Sequence, residues 1–301
     1  MKENEVVILD RGDYTTCAVN LHGAVVTSWR INNKEQIFVS RKSSLFYLRY
    51  HFHIGEIRGG IGVAFPKLGT WEFGRRHGFA RDLTWKIKTG PTYNRKEDVY
   101  AEFVLESDAY TESLWNYQFK LMNRVTLGKE TLFIEFHVEN RSNYLPFYFD
   151  FMLRFLMKIS DISKCRIIGL KGCQFRDRLD KKKKYYNEDR SEITISNPVD
   201  RLYLNSSTTI YVKDGDFGKV TKLRRRNLPN LNLWNPWVDM ARELPDLGDE
   251  EYRYFISPES CSEGVFLPPM SCWKASQLID VTEPVDHQST CSFYDIFDDY
   301  C

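Results

Sequence analysis

The sequence has no apolar run long enough to span a bilayer, no closely spaced cysteine pair and almost no surplus of charge of either sign. Without ~18 consecutive apolar residues there is no transmembrane helix to place. The N-terminal MKENEVVILDRGDYTT lacks a long apolar stretch behind its charges, so no signal peptide is expected. The seven cysteines, Cys17, Cys165, Cys173, Cys261, Cys272, Cys291 and Cys301, are odd in number and contain no C-x-x-C pair. This argues against both a zinc site and a disulfide framework, and the expectation is reduced, mostly buried thiols in a cytoplasmic protein. Lysine and arginine number 42 against 41 acidic residues, a net charge of +1. No global field draws nucleic acid or an acidic membrane, and any anion site has to be local. Helical signal is equally scarce: the best stretch, Val238 to Leu244, is short and is closed by Pro245.

What the chain has in quantity is alternation. Tyr117, Phe119, Leu121, Val125 and Leu127 interleave with Gln118, Lys120, Arg124 and Thr126, and Leu132, Ile134, Phe136 and Val138 face away from Glu135, His137 and Glu139. Gly128-Lys129-Glu130 lies between the two runs, which predicts a half-buried antiparallel hairpin. Short runs of the same kind recur at Val6–Leu9, Ala24–Ile31, Gln36–Val39, Thr84–Lys88, Val99–Leu105, Cys165–Leu170, Ile210–Lys213 and Lys274–Val281. Many short strands separated by turns predict an all-β protein, a large antiparallel sandwich. No linker or internal repeat divides the 301 residues, so one domain over 1–301 is expected. The charged stretch Arg176–Arg190 reads as a solvated loop, and the acidic tail Cys291–Cys301 as a loosely held end.

Three segments depart from plain strand pattern. In Glu56-Ile57-Arg58-Gly59-Gly60-Ile61-Gly62-Val63-Ala64-Phe65-Pro66, two glycines after an arginine allow close approach of a ligand to the backbone. A nucleotide loop would lead into a helix, and Phe65-Pro66 does not start one. Arg75-Arg76-His77-Gly78-Phe79-Ala80-Arg81 concentrates three arginines and a histidine, either a charged turn or a local cationic site. Asn232-Leu233-Trp234-Asn235-Pro236-Trp237 is a rigid aromatic corner, either core or a platform for a sugar ring.

At these segments the sequence resembles the hexose-6-phosphate 1-epimerases, the phosphosugar branch of the aldose 1-epimerase (mutarotase) family. GAVVTSW (Gly23–Trp29), IRGGIGVAFPKLG (Ile57–Gly69), HGFARDLTW (His77–Trp85), SDISKCRIIGLKGCQFRDRL (Ser160–Leu179), PVDRLYLN (Pro198–Asn205) and LWNPWVDMARELPDLGDEEY (Leu233–Tyr252) carry the likeness over nearly the whole chain. The resemblance implies a galactose mutarotase-like β-supersandwich with its site in a groove on one sheet. It implies a base, Glu259, that takes the proton of the anomeric hydroxyl, here within Phe255-Ile256-Ser257-Pro258-Glu259 where the family has Cys-Val-Glu. Arg58 and Arg81 correspond to phosphate-gripping arginines, whose planar forks match phosphate oxygens. Arg76 stands where the family often has glutamine, His77 lines the pocket, and Asp200 matches a substrate-binding aspartate.

The acid departs from the pattern. Where the family places a histidine that protonates the ring oxygen, this chain reads Met152-Leu153-Arg154-Phe155-Leu156-Met157, with Arg154 at the histidine's position and Phe155 and Leu156 replacing a threonine and a tyrosine. A guanidinium holds its proton at neutral pH, whereas an imidazole gives and regains one. The expected function is interconversion of the α and β anomers of glucose 6-phosphate without cofactor or metal. The alternative is a catalytically impaired homologue that binds phosphosugar as a sensor or scaffold; a lectin-like module for neutral glycans fits the arginines less well. The expected partner is a hexose 6-phosphate, bound by a monomer, with no nucleic acid and no membrane. His22, His51, His53, His137 and His287 have no motif support and read as surface or core residues.

Overall fold

The computed structural model describes residues 6–43, 57–215 and 218–282. Two antiparallel sheets, one of 12 and one of 9 strands among these residues, face each other across one apolar core. The larger sheet runs Val6–Gly12, Thr15–Asn20, Val25–Ile31, Ile61–Ala64, Phe147–Phe155, Phe255–Leu267, Asn230–Asn235, Val199–Tyr203, Gln174–Asp177, Tyr185–Asn187. Its strands come from distant parts of the chain, so the middle of the sheet gathers residues far apart in sequence. The predicted hairpin forms between Phe119–Leu127 and Thr131–Asn140, closing at the Leu127–Leu132 pair in the smaller sheet. Trp29, Trp85, Phe103, Phe136 and Phe151 fill the space between the sheets and are fully buried.

Two expectations are corrected. Arg176–Arg190 is not merely a solvated loop, because Gln174–Asp177 and Tyr185–Asn187 pair as an edge hairpin. Phe175 packs on Tyr186 and Tyr203, and the carboxylate of Glu188 accepts from Arg190 Nε at 2.7 Å and Tyr203 Oη at 2.9 Å, which holds the charged segment down. Gln36–Val39 contributes only isolated bridges, Ile37 to Met157 and Val39 to Gly59. The short helix spans Trp237–Glu243 and stops before Leu244-Pro245. Met1–Glu5, Glu56, His51, His53, His287 and the Cys291–Cys301 tail lie outside the described residues. Among the described residues five cysteines are free thiols, no helix is long and apolar enough to cross a membrane, and no group of three or more acidic, histidine or cysteine side chains is placed to hold a metal ion.

Strand alternation in the larger sheet sets the stage for the site. In Phe147–Phe155 the odd positions Phe147, Phe149, Phe151, Leu153 and Phe155 enter the core, which turns Asp150, Met152 and Arg154 to the opposite face. The neighbouring strands obey the same rule: Gly62, Glu259, Asn232 and Leu202 lie in register across that outer face, through the pairs Arg154–Gly62, Leu153–Ser260, Asn232–Glu259 and Leu202–Asn232. Ala64, Leu68, Met152, Leu202 and Cys261 form a small apolar floor beside this row.

Candidate active site

The row centres on a buried ion pair. Arg154 Nε donates to Glu259 Oε1 at 3.1 Å, Ser257 Oγ donates to the same oxygen at 3.2 Å, and Asn232 Nδ2 donates to Oε2 at 3.0 Å. Both charged groups are almost enclosed, Arg154 at 9% and Glu259 at 4% exposure. Burial alone would push the carboxyl up. Arg154 and Asn232 outweigh it, and Glu259 is held below the ordinary carboxylate range. A carboxylate in this state is ionised at neutral pH and able to accept a proton, though a weaker base than an unpaired one. Gly62, the register partner of Arg154, places no side chain over the guanidinium, and Trp234 puts its ring 6.0 Å from it. Phe155 lies in the core and Leu156 lines a cleft beside Arg154 with Val25, Gly59, Gly62 and Arg81. Of Arg154, Phe155 and Leu156, then, Arg154 alone touches the carboxylate, and Ser257, where the family has cysteine, touches it from its own strand.

His77, on the loop after Gly69, is an electrostatic neighbour of Glu259. The ring's Nδ1 accepts from the Gly69 amide at 3.2 Å and its own amide donates to Gly69 O at 2.9 Å. An acceptor at Nδ1 leaves the proton of the neutral ring on Nε2. Burial and the nearby Arg81, Arg76 and Arg178 push its pKa down to about 4, against a partial rise from Glu259. The unfolded chain binds this proton at ordinary histidine pKa and the folded one does not, so folding stability rises with pH between about 4 and 6.5. Urea titrations at several pH values across that window are expected to show a slope reduced by up to one proton in His77→Asn. Asparagine tolerates the left-handed backbone at this position, where φ is 70°.

Asp200 reaches the same centre from the next strand but one. Arg178 Nη1 lies 3.9 Å from Asp200 Oδ1. Burial, then the Glu259 charge, raise its pKa against Arg178. The proposed phosphate arginines sit to the other side. Arg58 Nε and Nη2 both reach Asp246 Oδ2, at 3.1 and 3.0 Å. Arg81, half-buried, donates through Nη2 to Arg76 O and is pushed down to about 10 by burial, which still leaves it charged. Arg58 and Asp246 are both among the charges that act on Arg81. Arg76 itself is exposed.

The seven residues singled out in the sequence therefore fall into two neighbourhoods. Glu259, Arg154, His77, Asp200 and Arg76 are electrostatic neighbours around the carboxylate, Arg58 pairs with Asp246, and Arg81 joins the two, feeling Arg58 and Asp246 while acting on His77 and lining the cleft with Arg154. Arg178, Asn232, Ser257 and Asp246 were not singled out. Arg178 and Asp246 lie within the quoted motifs, and Asn232 is two residues from Trp234 on the same strand face. His137 is half-buried in the smaller sheet, as expected for a residue without a role at the site.

The sequence profile of aldose 1-epimerases matches residues 5–278. A candidate glucose-6-phosphate 1-epimerase of Cenchrus ciliaris is 29% identical over 278 residues, covering 90% of this chain and 82% of the relative. A candidate of the same name from Escherichia coli K12 is 25% identical over 264 residues, with 86% and 84% covered. Among solved structures, a candidate mutarotase of Salmonella typhimurium, YeaD, superposes with a TM-score of 0.82 at 22% identity, covering 93% of this chain and 90% of that one. The galactose 1-epimerase of Lactobacillus acidophilus gives 0.69 at 13% identity, covering 92% and 93%. These structures share the fold, an antiparallel galactose mutarotase-like sandwich, at identities that speak to architecture alone.

Proposed function

The chain belongs to the aldose 1-epimerase family, and from that premise we propose that it binds a hexose 6-phosphate and interconverts its anomers with Glu259 as the base. The observation that carries this reading is the ionised Glu259 carboxylate set among a surplus of arginines. Six guanidinium groups, Arg58, Arg75, Arg76, Arg81, Arg154 and Arg178, face four carboxylates, Glu259, Asp200, Asp246 and Asp82, among the described residues. A phosphate monoester carries about −1.5 to −2 near pH 7 and offsets such a surplus, whereas a neutral sugar does not.

In the proposed reaction Glu259 takes the proton of the O1 hydroxyl. The C1–O5 bond breaks with its electron pair on O5, and C1=O1 forms. The open aldehyde turns about C1–C2 and recloses through its other face, with the proton returned from Glu259. O5 must gain a proton on opening and lose it on closing. Arg154 keeps its own and contributes charge stabilisation to the developing alkoxide. The proton then comes from solvent, more slowly than from a positioned imidazolium; the neutral His77 ring can offer Nε2–H as a hydrogen-bond donor but does not give up that proton.

A second reading, a phosphosugar binder with no turnover, is favoured by the Arg154–Glu259 bond itself, which occupies the base and replaces the acid. Following the anomeric proton signals of freshly dissolved α-glucose 6-phosphate, with and without protein, separates the two. Faster equilibration with protein is expected, and identical rates at high protein concentration would leave the binder. Thermal shift is expected to register glucose 6-phosphate and not glucose. In Arg58→Ala that shift should fall by at least the equivalent of a tenfold loss in affinity, about 1.4 kcal/mol. Equal shifts by both sugars would remove the phosphate from the reading.

A further inference from the structure

The outer face of the Phe147–Phe155 strand carries a second buried carboxylate, Asp150, two positions from Met152 and four from Arg154. It takes no part in the chemistry above. The register between this strand and Phe255–Leu267 slips between Phe149 and Phe151, where two residues of the partner strand, Glu263 and Gly264, oppose one, Asp150. Gly264 lies in that bulge with φ of 65°, a conformation only glycine adopts at little cost, and its amide turns to donate to Asp150 Oδ1 at 2.8 Å. The other carboxylate oxygen accepts from the Leu68 amide at 3.2 Å and pairs with Lys67 Nζ at 2.7 Å. The Asp150 amide donates to Pro66 O at 2.8 Å. One residue thus holds both sides of the Pro66–Leu68 segment against the sheet.

That segment ends on Gly69, and Gly69 is the residue to which His77 is tied through both its ring and its main chain. His77 also has a left-handed backbone, which a non-glycine residue keeps only when its surroundings impose it. We infer that Asp150 is a positioning residue that fixes the Pro66–Gly69 loop and, through the Gly69 amide, locks His77 in the Nε2–H tautomer facing the Glu259 centre. Asparagine at 150 does not replace it. Its single carbonyl oxygen serves either the Leu68 or the Gly264 amide, while its NH₂ group presents donors to the other. Arg76, Arg81, Arg178 and Glu259 face His77 in every variant and stay constant in the comparison.

The inference deepens the sugar-phosphate reading only in what His77 is aimed at, and it is tested on the ligand-free protein, so that either can fail without the other. Long-range ¹H–¹⁵N correlation spectra of the histidine rings report tautomer and titration directly. The wild-type protein is expected to show His77 as a single Nε2–H tautomer with a titration midpoint near 4. Asp150→Asn, confirmed as folded by circular dichroism, is expected to show both tautomers and a midpoint moved toward the ordinary histidine value. Lys67→Met removes only the half-exposed ion pair and is expected to change neither. If the Asn variant does not fold, Asp150→Ser, smaller and uncharged, reads the same loss. A folded variant with a wild-type His77 spectrum overturns the inference. So does a wild-type His77 in the Nδ1–H form, or a Leu68 amide that exchanges as fast as an exposed loop amide.

Discussion

Arg154→His is expected to raise the rate of anomer interconversion by about 10²- to 10⁴-fold, the usual contribution of a positioned general acid. The geometry supports the magnitude. The side chain at 154 leaves its strand on the face of Glu259 and reaches to 3.1 Å of the carboxylate, so an imidazole there lies over the same reacting centre. Two effects add. The imidazole supplies the proton O5 needs, which a guanidinium with a pKa above about 12 withholds. Removing the guanidinium also removes the largest influence holding the Glu259 pKa down, and a less depressed carboxylate is a stronger base. Arg154→Lys is the control, since it keeps the charge and offers no proton near neutral pH. Anomeric proton exchange measured for the three proteins decides it. An unchanged rate in the histidine variant would show that position 154 is not the vacant place of the acid. A rise in the lysine variant as well, which keeps the charge and supplies no proton, would show that the gain does not come from a restored acid.

The architecture was largely legible because alternation is a local signal. Phe119–Leu127 and Thr131–Asn140 announce their buried faces residue by residue, and the structure pairs them as expected. Gln36–Val39 alternates too, but pairing is a property of two segments, and its neighbours offer it only single bridges. Arg176–Arg190 failed in the other direction. Its charge density reads as solvated, yet Glu188 buries its carboxylate against Arg190 and Tyr203, and that contact is invisible to composition. The site divides along the same line. Glu259 and Arg154 were identified from separate motifs, but their direct bond depends on strand register across the sheet middle, where residues 105 positions apart meet. Asp246 and Asn232 were missed for that reason, since each matters only through a partner on another strand or loop. The consequence is chemical as well as geometric. The arginine read as an absent acid is also the group that restrains the base.

That restraint has a stability signature large enough to measure. Glu259→Leu removes the carboxylate from a guanidinium that is 9% exposed, and a buried pair broken on one side typically costs ~3–5 kcal/mol. Arg154→Met is expected to cost a similar amount and to reverse a pH dependence. In the wild-type protein the Glu259 pKa is lowered by folding, so its contribution is complete above the ordinary carboxylate pKa and is lost as pH falls through the folded value. Without Arg154, burial dominates and raises the pKa instead, so the same residue favours folding at low pH and opposes it as pH rises through the new value. The double variant Arg154→Met, Glu259→Leu removes both charges and replaces them with side chains suited to the apolar floor of Met152, Cys261 and Leu202. Its stability is expected to equal or exceed wild type by about 1–4 kcal/mol, as for other buried pairs exchanged for apolar residues. Urea unfolding of the four proteins closes a double-mutant cycle. Additive losses in the double variant would mean that the two side chains act independently, and the ion pair would then have no claim to restrain the base.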